Sequence, residues 1–208
     1  LYIGIYKLYQ KKWLKMFNNI FSTYLYSNMC DLDFTSLEKH IISIRKKDKT
    51  GKIISNRGGW QSKVFEKINK YNKPVFKILD KAISEVRQKI DFKKNLKLHG
   101  YWYNINGKCA FNVPHTHVAF KTIVSGVLYI KIPKNSGKII FNRNDPVCGM
   151  MYDFGNINNY NEYNSSNFTV LPKEGLFVLF PSSLTHYVEP NLNDQERIVI
   201  SFNYGYEL

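Results

Sequence analysis

The run Leu176-Phe-Val-Leu-Phe-Pro-Ser-Ser-Leu-Thr-His186-Tyr-Val-Glu-Pro190-Asn-Leu-Asn-Asp-Gln-Glu-Arg197-Ile-Val-Ile-Ser-Phe-Asn-Tyr204 decides how this chain folds. Residues 176–180 and 197–204 are short, apolar and rich in β-branched and aromatic side chains, and a polar connection rich in turn-forming residues separates them. That is the texture of strands. The same texture runs upstream through 98–106, 122–133, 138–142 and 167–171, punctuated by Asn-Gly, Asn-Ser-Gly and Pro-Lys-Glu-Gly turns. Strands at this spacing predict an antiparallel barrel or a double-sheet jelly roll. Residues 157–167, rich in Asn, Tyr and Ser, read as a surface loop or a lid.

Before residue 96 the period is helical. Thr35-Ser-Leu-Glu38 has the form of a capping box, with Leu37, Ile41, Ile42 and Ile44 as the apolar side that follows. Pro74 stands where a helix start tolerates proline, and Phe76, Leu79, Ala82, Ile83, Val86 and Ile90 recur behind it at helical spacing. A shorter helix is expected over 61–71, and the turn-rich stretch 55–62 is expected to carry an exposed tryptophan, Trp60. The plan is α+β: N-terminal helices over about 35–92 packed on a β-barrel over about 96–208. A chain of 208 residues can bury one sizeable core, so 16–208 are expected to form one domain. Residues 1–15, apolar and then basic ahead of Met16, are expected to be an extension outside it. The apolar run there is too short to span a bilayer, and no membrane association is expected.

The net charge of +14 is unevenly placed. Residues 1–100 hold 22 of the 30 Lys and Arg against 8 of the 16 Asp and Glu, and residues 101–208 are balanced. Such an excess favours acidic partners, nucleic acid among them, although a Lys-rich solvated surface explains it more simply. Cys30, Cys109 and Cys148 form no C-x-x-C pair, which points to free thiols in a reducing cytoplasm. Cys109 is expected to be a small buried hydrophobe.

The chemistry-bearing residues lie in the balanced half. In His115-Thr-His117 on an extended chain both imidazoles face the same way, because strand side chains alternate. His186, after the buried strand at 176–180, can supply a third. Three ligands on one face leave positions open for substrate and oxidant. His40 and His99 are expected to be structural. Arg197 heads an otherwise apolar strand, and a guanidinium entering a barrel interior is costly unless paired. Glu189 and Glu196 are the nearby candidates, and a bidentate carboxylate ligand would fit the guanidinium equally well. Ser201 falls on the same face as Arg197, and Tyr129 can add a phenol from a neighbouring strand. Trp102 and Asn104 precede the His-x-His segment and are expected to line a pocket.

Gly58-Gly-Trp-Gln-Ser, Trp102-Tyr-Asn-Ile-Asn-Gly, His115-x-His117, Ser125-Gly-Val-Leu-Tyr129, Leu179-Phe-Pro-Ser-Ser-Leu-Thr-His186, Pro190-Asn and Arg197-Ile-x-Ile-Ser-Phe-Asn occur in that order. Together they resemble the 2-oxoglutarate- and Fe(II)-dependent oxygenases of marine bacteria and their phages, from roughly residue 16 to the C-terminus. The resemblance implies a double-stranded β-helix (a jelly-roll, cupin-like barrel), with ferrous iron, 2-oxoglutarate and O2 as reaction partners. It implies a hydroxylase in the cytoplasm of a bacterium or of a phage-infected cell. It places His115, His117 and His186 on the metal positions, Arg197 on the cosubstrate's distal carboxylate, and Tyr129 and Ser201 beside it. The wider superfamily has Asp or Glu where His117 stands, so this site carries one more positive charge; Asp145, the nearest downstream acid, lies a whole strand away. The rivals are a three-histidine cupin-type dioxygenase without 2-oxoglutarate and a non-catalytic basic binding module. The substrate is left open between a small molecule and a macromolecular side chain.

Overall fold

The computed structural model describes residues 22–119, 121–143 and 157–207. The expectations for residues 1–15, Asp145 and Cys148 fall outside the described residues. Along the chain come β1 (Tyr26–Met29), α1 (Thr35–Lys47), β2 (Asn56–Arg57), β3 (Trp60–Gln61), α2 (Lys73–Ile90), β4 (Lys97–Asn106) and β5 (Phe111–His115). Then follow β6 (Thr122–Lys131), β7 (Ile139–Asn142), β8 (Asn167–Val170), β9 (Leu176–Pro181), β10 (His186–Val188) and β11 (Arg197–Gly205).

Among the described residues all strand pairings are antiparallel. They make a six-stranded sheet in the order β1-β9-β6-β11-β4-β3 and a five-stranded sheet in the order β2-β5-β10-β7-β8. The alternation of side chains along β11 shows how the layers are built. Ile198, Ile200, Phe202 and Tyr204 join Tyr101, Tyr103 and Ile105 of β4 in a cluster with Leu37 and Ile41 of α1 and Phe76, Leu79 and Ile83 of α2. Val199 points the other way, into a second cluster with Val127, Tyr129, Val178 and Phe180, which Ile139 and Phe141 of the second sheet complete. One face of the large sheet is therefore covered by helices and the other faces the small sheet, as period-2 alternation requires. Phe141 and Phe180 close the space between the sheets, with ring centroids 4.9 Å apart.

Several expectations are corrected. No helix spans 61–71. Trp60 and Gln61 pair with Ile105 and Asn104 of β4, and Phe65 exchanges both backbone hydrogen bonds with Tyr101, so the segment extends the sheet edge. The helical part is accordingly two helices, at 35–47 and 73–90. Trp60 is buried, and its indole N–H donates to the Asp48 carbonyl at 2.6 Å. Thr35 does not close a capping box; the Asp33 carboxylate accepts its main-chain N–H instead. Cys109 is exposed, in the left-handed region at φ 62°, while Cys30 is buried; both are free thiols. Among the described residues no helix is long and apolar enough to cross a membrane.

Candidate metal and anion site

His115 closes β5 and His186 opens β10, and the two are register partners across the small sheet. Each ring is held the same way. Nδ1–H of His115 donates to the Val113 carbonyl at 2.7 Å, and Nδ1–H of His186 donates to the Leu184 carbonyl at 2.9 Å. Those bonds fix the tautomer and leave each Nε2 as a lone pair. His117 lies past the end of β5, where its main-chain N–H binds the Ser182 carbonyl at 2.8 Å and so ties it to the end of β9. Its ring stands 5.0 Å from both His115 and His186.

The three imidazoles place their nitrogens within 4.8 Å of one another. First-row divalent ions hold imidazole nitrogen at about 2.1 Å, so two such nitrogens at right angles around one ion stand about 3 Å apart. The Nε2 atoms of His117 and His186 are 3.2 Å apart. Burial, and then the fields of His186 and His115, pull His117 down to about 3. Burial and the field of His115 pull His186 down to about 4, and burial lowers His115. All three are neutral at pH 7, the form a metal needs. Spacing, tautomer and charge state all fit a divalent ion such as iron, with one face left open.

Arg197, at the head of β11, is 3% exposed. One of its terminal nitrogens (Nη1) donates to the carbonyls of Ser136 at 2.7 Å and Gly137 at 3.3 Å. Gly137 is in the left-handed region at φ 85°, and a Cβ there would stand 2.2 Å from the Glu189 carbonyl. The two carboxylates that could neutralise Arg197 are used elsewhere: Glu196 pairs with Arg45, and Glu189 takes the main-chain N–H and the ammonium of Lys138. Among the described residues Arg197 has no carboxylate partner. Burial lowers it to about 10, with Tyr129 opposing, so it stays a cation at neutral pH. A buried cation held by two neutral carbonyls lacks its counter-charge.

One cavity of about 570 Å³ joins these groups. Its lining includes His115, His117, His186, Arg197, Tyr129, Ser201, Trp102 and Asn104, every site residue expected from the sequence. Tyr129 is register partner to Val199 of β11, two residues from Arg197, and burial pushes its phenol well above the usual range. Ser201 accepts a hydrogen bond from Nδ2 of Asn104 at 3.0 Å. The Trp102 ring lies 5.5 Å from that of His117. His40 stacks on Tyr71 and His99 binds the Tyr206 carbonyl, both away from the cavity.

Two features of the site escape a reading of side chains alone. The carbonyls of Val113, Leu184, Ser136 and Gly137 carry no residue-type signal. Gln61, assigned to a helix from the sequence, in fact lines the cavity. The Gly58-Gly59 pair just before Trp60 was the available sign of a turn into an edge strand.

The sequence model of one family, described as "Putative 2OG-Fe(II) oxygenase", matches residues 100–203, half of the chain. The chain belongs to that family. Iron and 2-oxoglutarate are therefore the oxygenase's metal and cosubstrate, and the three-imidazole cluster and Arg197 lie within the matched span. No curated protein matches the sequence. Among solved structures, a Pseudomonas putida prolyl-4-hydroxylase superposes with a TM-score of 0.60 at 14% identity, covering 89% of this chain and 94% of that one. The viral collagen prolyl hydroxylase of Paramecium Bursaria Chlorella virus-1, solved with 2OG, gives 0.56 at 15% identity over 88% and 97%. The epimerase SnoN from nogalamycin biosynthesis, solved with Fe3+ and alpha ketoglutarate, gives 0.56 at 11% over 87% and 78%. At these identities the likeness concerns the fold, and folds of this kind serve both hydroxylation and epimerisation.

Proposed function

We propose that this chain is a 2-oxoglutarate- and Fe(II)-dependent hydroxylase on a double-stranded β-helix, with its N-terminal helices packed against one sheet. His115, His117 and His186 would hold the ferrous ion. Arg197 would take the distal carboxylate of 2-oxoglutarate, with Tyr129 and Ser201 beside it and Trp102 and Asn104 lining the substrate end. The observation that carries this reading is the buried Arg197, with no carboxylate partner among the described residues, sharing one cavity with three neutral imidazoles. When bound, iron and 2-oxoglutarate supply the activation of O2: one oxygen atom enters a substrate C–H bond, the other enters succinate, and carbon dioxide leaves.

The protein's own contribution is placement and a water-poor wall. The Val113 and Leu184 carbonyls hold two imidazoles with Nε2 directed inward. Arg197 offers a planar fork suited to a carboxylate and stays protonated throughout. Phe180 and Val199 supply an apolar wall beside the imidazoles, which strengthens the charge pairing of guanidinium and carboxylate.

Oxygen uptake and succinate release, followed on Fe(II)-loaded protein with and without 2-oxoglutarate, test the reading. Succinate formed in step with oxygen, and lost in His186→Ala, is expected. Oxygen uptake that needs a substrate but not 2-oxoglutarate would instead favour the three-histidine dioxygenase, with Arg197 binding the substrate's own carboxylate.

A further inference from the structure

We infer that Asn104, with Gln61 opposite it on β3, reads an uncharged amide on the substrate, its Oδ1 accepting a substrate N–H. This rests on the oxygenase reading above and names the substrate class for the same cavity.

Asn104 is 6% exposed near the C-terminal end of β4 and lines the cavity. Its Nδ2 is engaged by Ser201, but its Oδ1 is buried with no hydrogen-bond partner among the described residues. A buried acceptor left bare is rare in a folded protein and points to a missing donor. The cosubstrate cannot be that donor: 2-oxoglutarate at neutral pH carries two carboxylates and a keto oxygen, acceptors only. Gln61 is the direct register partner of Asn104, lines the same cavity and is 7% exposed; its carboxamide makes no hydrogen bond among the described residues. Two carboxamides in one cavity, one offering a bare oxygen and the other a free donor and acceptor, supply an acceptor for an amide's N–H and a donor for its C=O. Charge selects in the same direction. Apart from Arg197, assigned above to the cosubstrate, no Lys, Arg, Asp or Glu lines the cavity among the described residues. Among the described residues a charged substrate group would find no partner there, whereas a neutral amide finds an acceptor for its N–H and a donor for its C=O.

The test uses a pooled set of small neutral secondary amides, each with its N-methylated counterpart, observed by ligand-detected NMR on Zn(II)- and 2-oxoglutarate-loaded protein. Members with a free N–H are expected to bind at least about fivefold tighter than their N-methyl partners. Asn104→Leu is expected to erase that preference while the 2-oxoglutarate dissociation constant moves by less than about twofold. If Asn104→Leu fails to fold, Gln61→Leu, which has no side-chain partner to lose, is expected to weaken the preference in its place. The inference is overturned if no pair shows an N–H preference, or if the preference survives the substitution. It is equally overturned if Asn104→Leu weakens 2-oxoglutarate tenfold or more, which would assign Asn104 to the cosubstrate. Failure of wild type to bind 2-oxoglutarate at all would sink the oxygenase site instead, and the amide preference, read again on Zn(II)-loaded protein alone, separates the two.

Discussion

His115 and His186 stand opposite each other in register, and each ring donates its Nδ1–H to the carbonyl two residues before it. The site is therefore set by two short strands folding each imidazole back on its own backbone. Among the described residues His117 has no such anchor; a main-chain bond to Ser182 and the neighbouring Trp102 ring locate it.

This difference orders the effects of substitution on metal binding. His115→Ala or His186→Ala is expected to weaken Fe(II) by at least about 100-fold, and His117→Ala by about 10-fold. His117→Asp is expected to recover most of that loss, since a carboxylate removes one positive charge from the site. Anaerobic Fe(II) titration of the four variants measures the order, and a His117→Ala loss as large as that of His186→Ala would contradict it.

Acid should unfold the metal-free protein through the same cluster. In the folded state His117 and His186 are lowered to about 3 and about 4, against an ordinary 6.5. Between those values the unfolded chain binds more protons than the folded one, so stability is fully present above about pH 6.5 and falls as pH drops towards 3–4. Each proton contributes a slope of about 1.4 kcal/mol per pH unit. Thermal melts from pH 7 to 4 should show this decline, and His117→Leu should flatten it. Divalent metal should raise the melting temperature at pH 7 by mass action and lose its effect as protons compete for the ligands.

Strands β4, β6, β7, β8, β9 and β11 and the two long helices were legible in the sequence because their periods are local properties of the chain. Arg197 was legible as well, because a cation heading an apolar strand is a conflict that needs a resolution. What escaped was set by partners distant in sequence. Residues 61–71 carry enough apolar spacing to pass for a helix, yet Gln61 and Phe65 pair with the edge of β4 and the rest of the segment is coil and turn. Trp60 looked exposed in its Gly-rich context because its acceptor, the Asp48 carbonyl, is a backbone atom. The short strands β5 and β10, with five and three residues, are too brief to show a period, yet they carry two of the three histidines.

Gly137 should be among the least tolerant positions remote from the imidazoles. Its left-handed backbone and the Glu189 carbonyl 2.2 Å from any added Cβ leave no room for a side chain. Gly137→Ala is expected to cost about 2 kcal/mol or more, combining the strained conformation with displaced backbone. It would also move the carbonyls that hold Arg197, so 2-oxoglutarate affinity should fall along with stability. Denaturant melts and cosubstrate titration on the same preparation check both, and a variant that loses stability with unchanged affinity would detach Gly137 from the anion site.

Arg197→Met separates function from stability in the opposite sense. Removing a buried cation that has only carbonyl partners takes away a desolvation cost, and a side chain of similar length fills the space. Stability should be unchanged or raised, by up to about 2 kcal/mol. The ligand carboxylate meanwhile loses its charge-assisted bonds, and the 2-oxoglutarate dissociation constant should rise by about 100-fold. Arg197→Lys keeps the charge but loses the fork, and it should fall between the two. Melting curves alongside cosubstrate titrations would show the pattern. A marked loss of stability in Arg197→Met, with 2-oxoglutarate binding intact, would make Arg197 a structural residue tying β11 to the Ser136 turn and remove the anion site from the cavity.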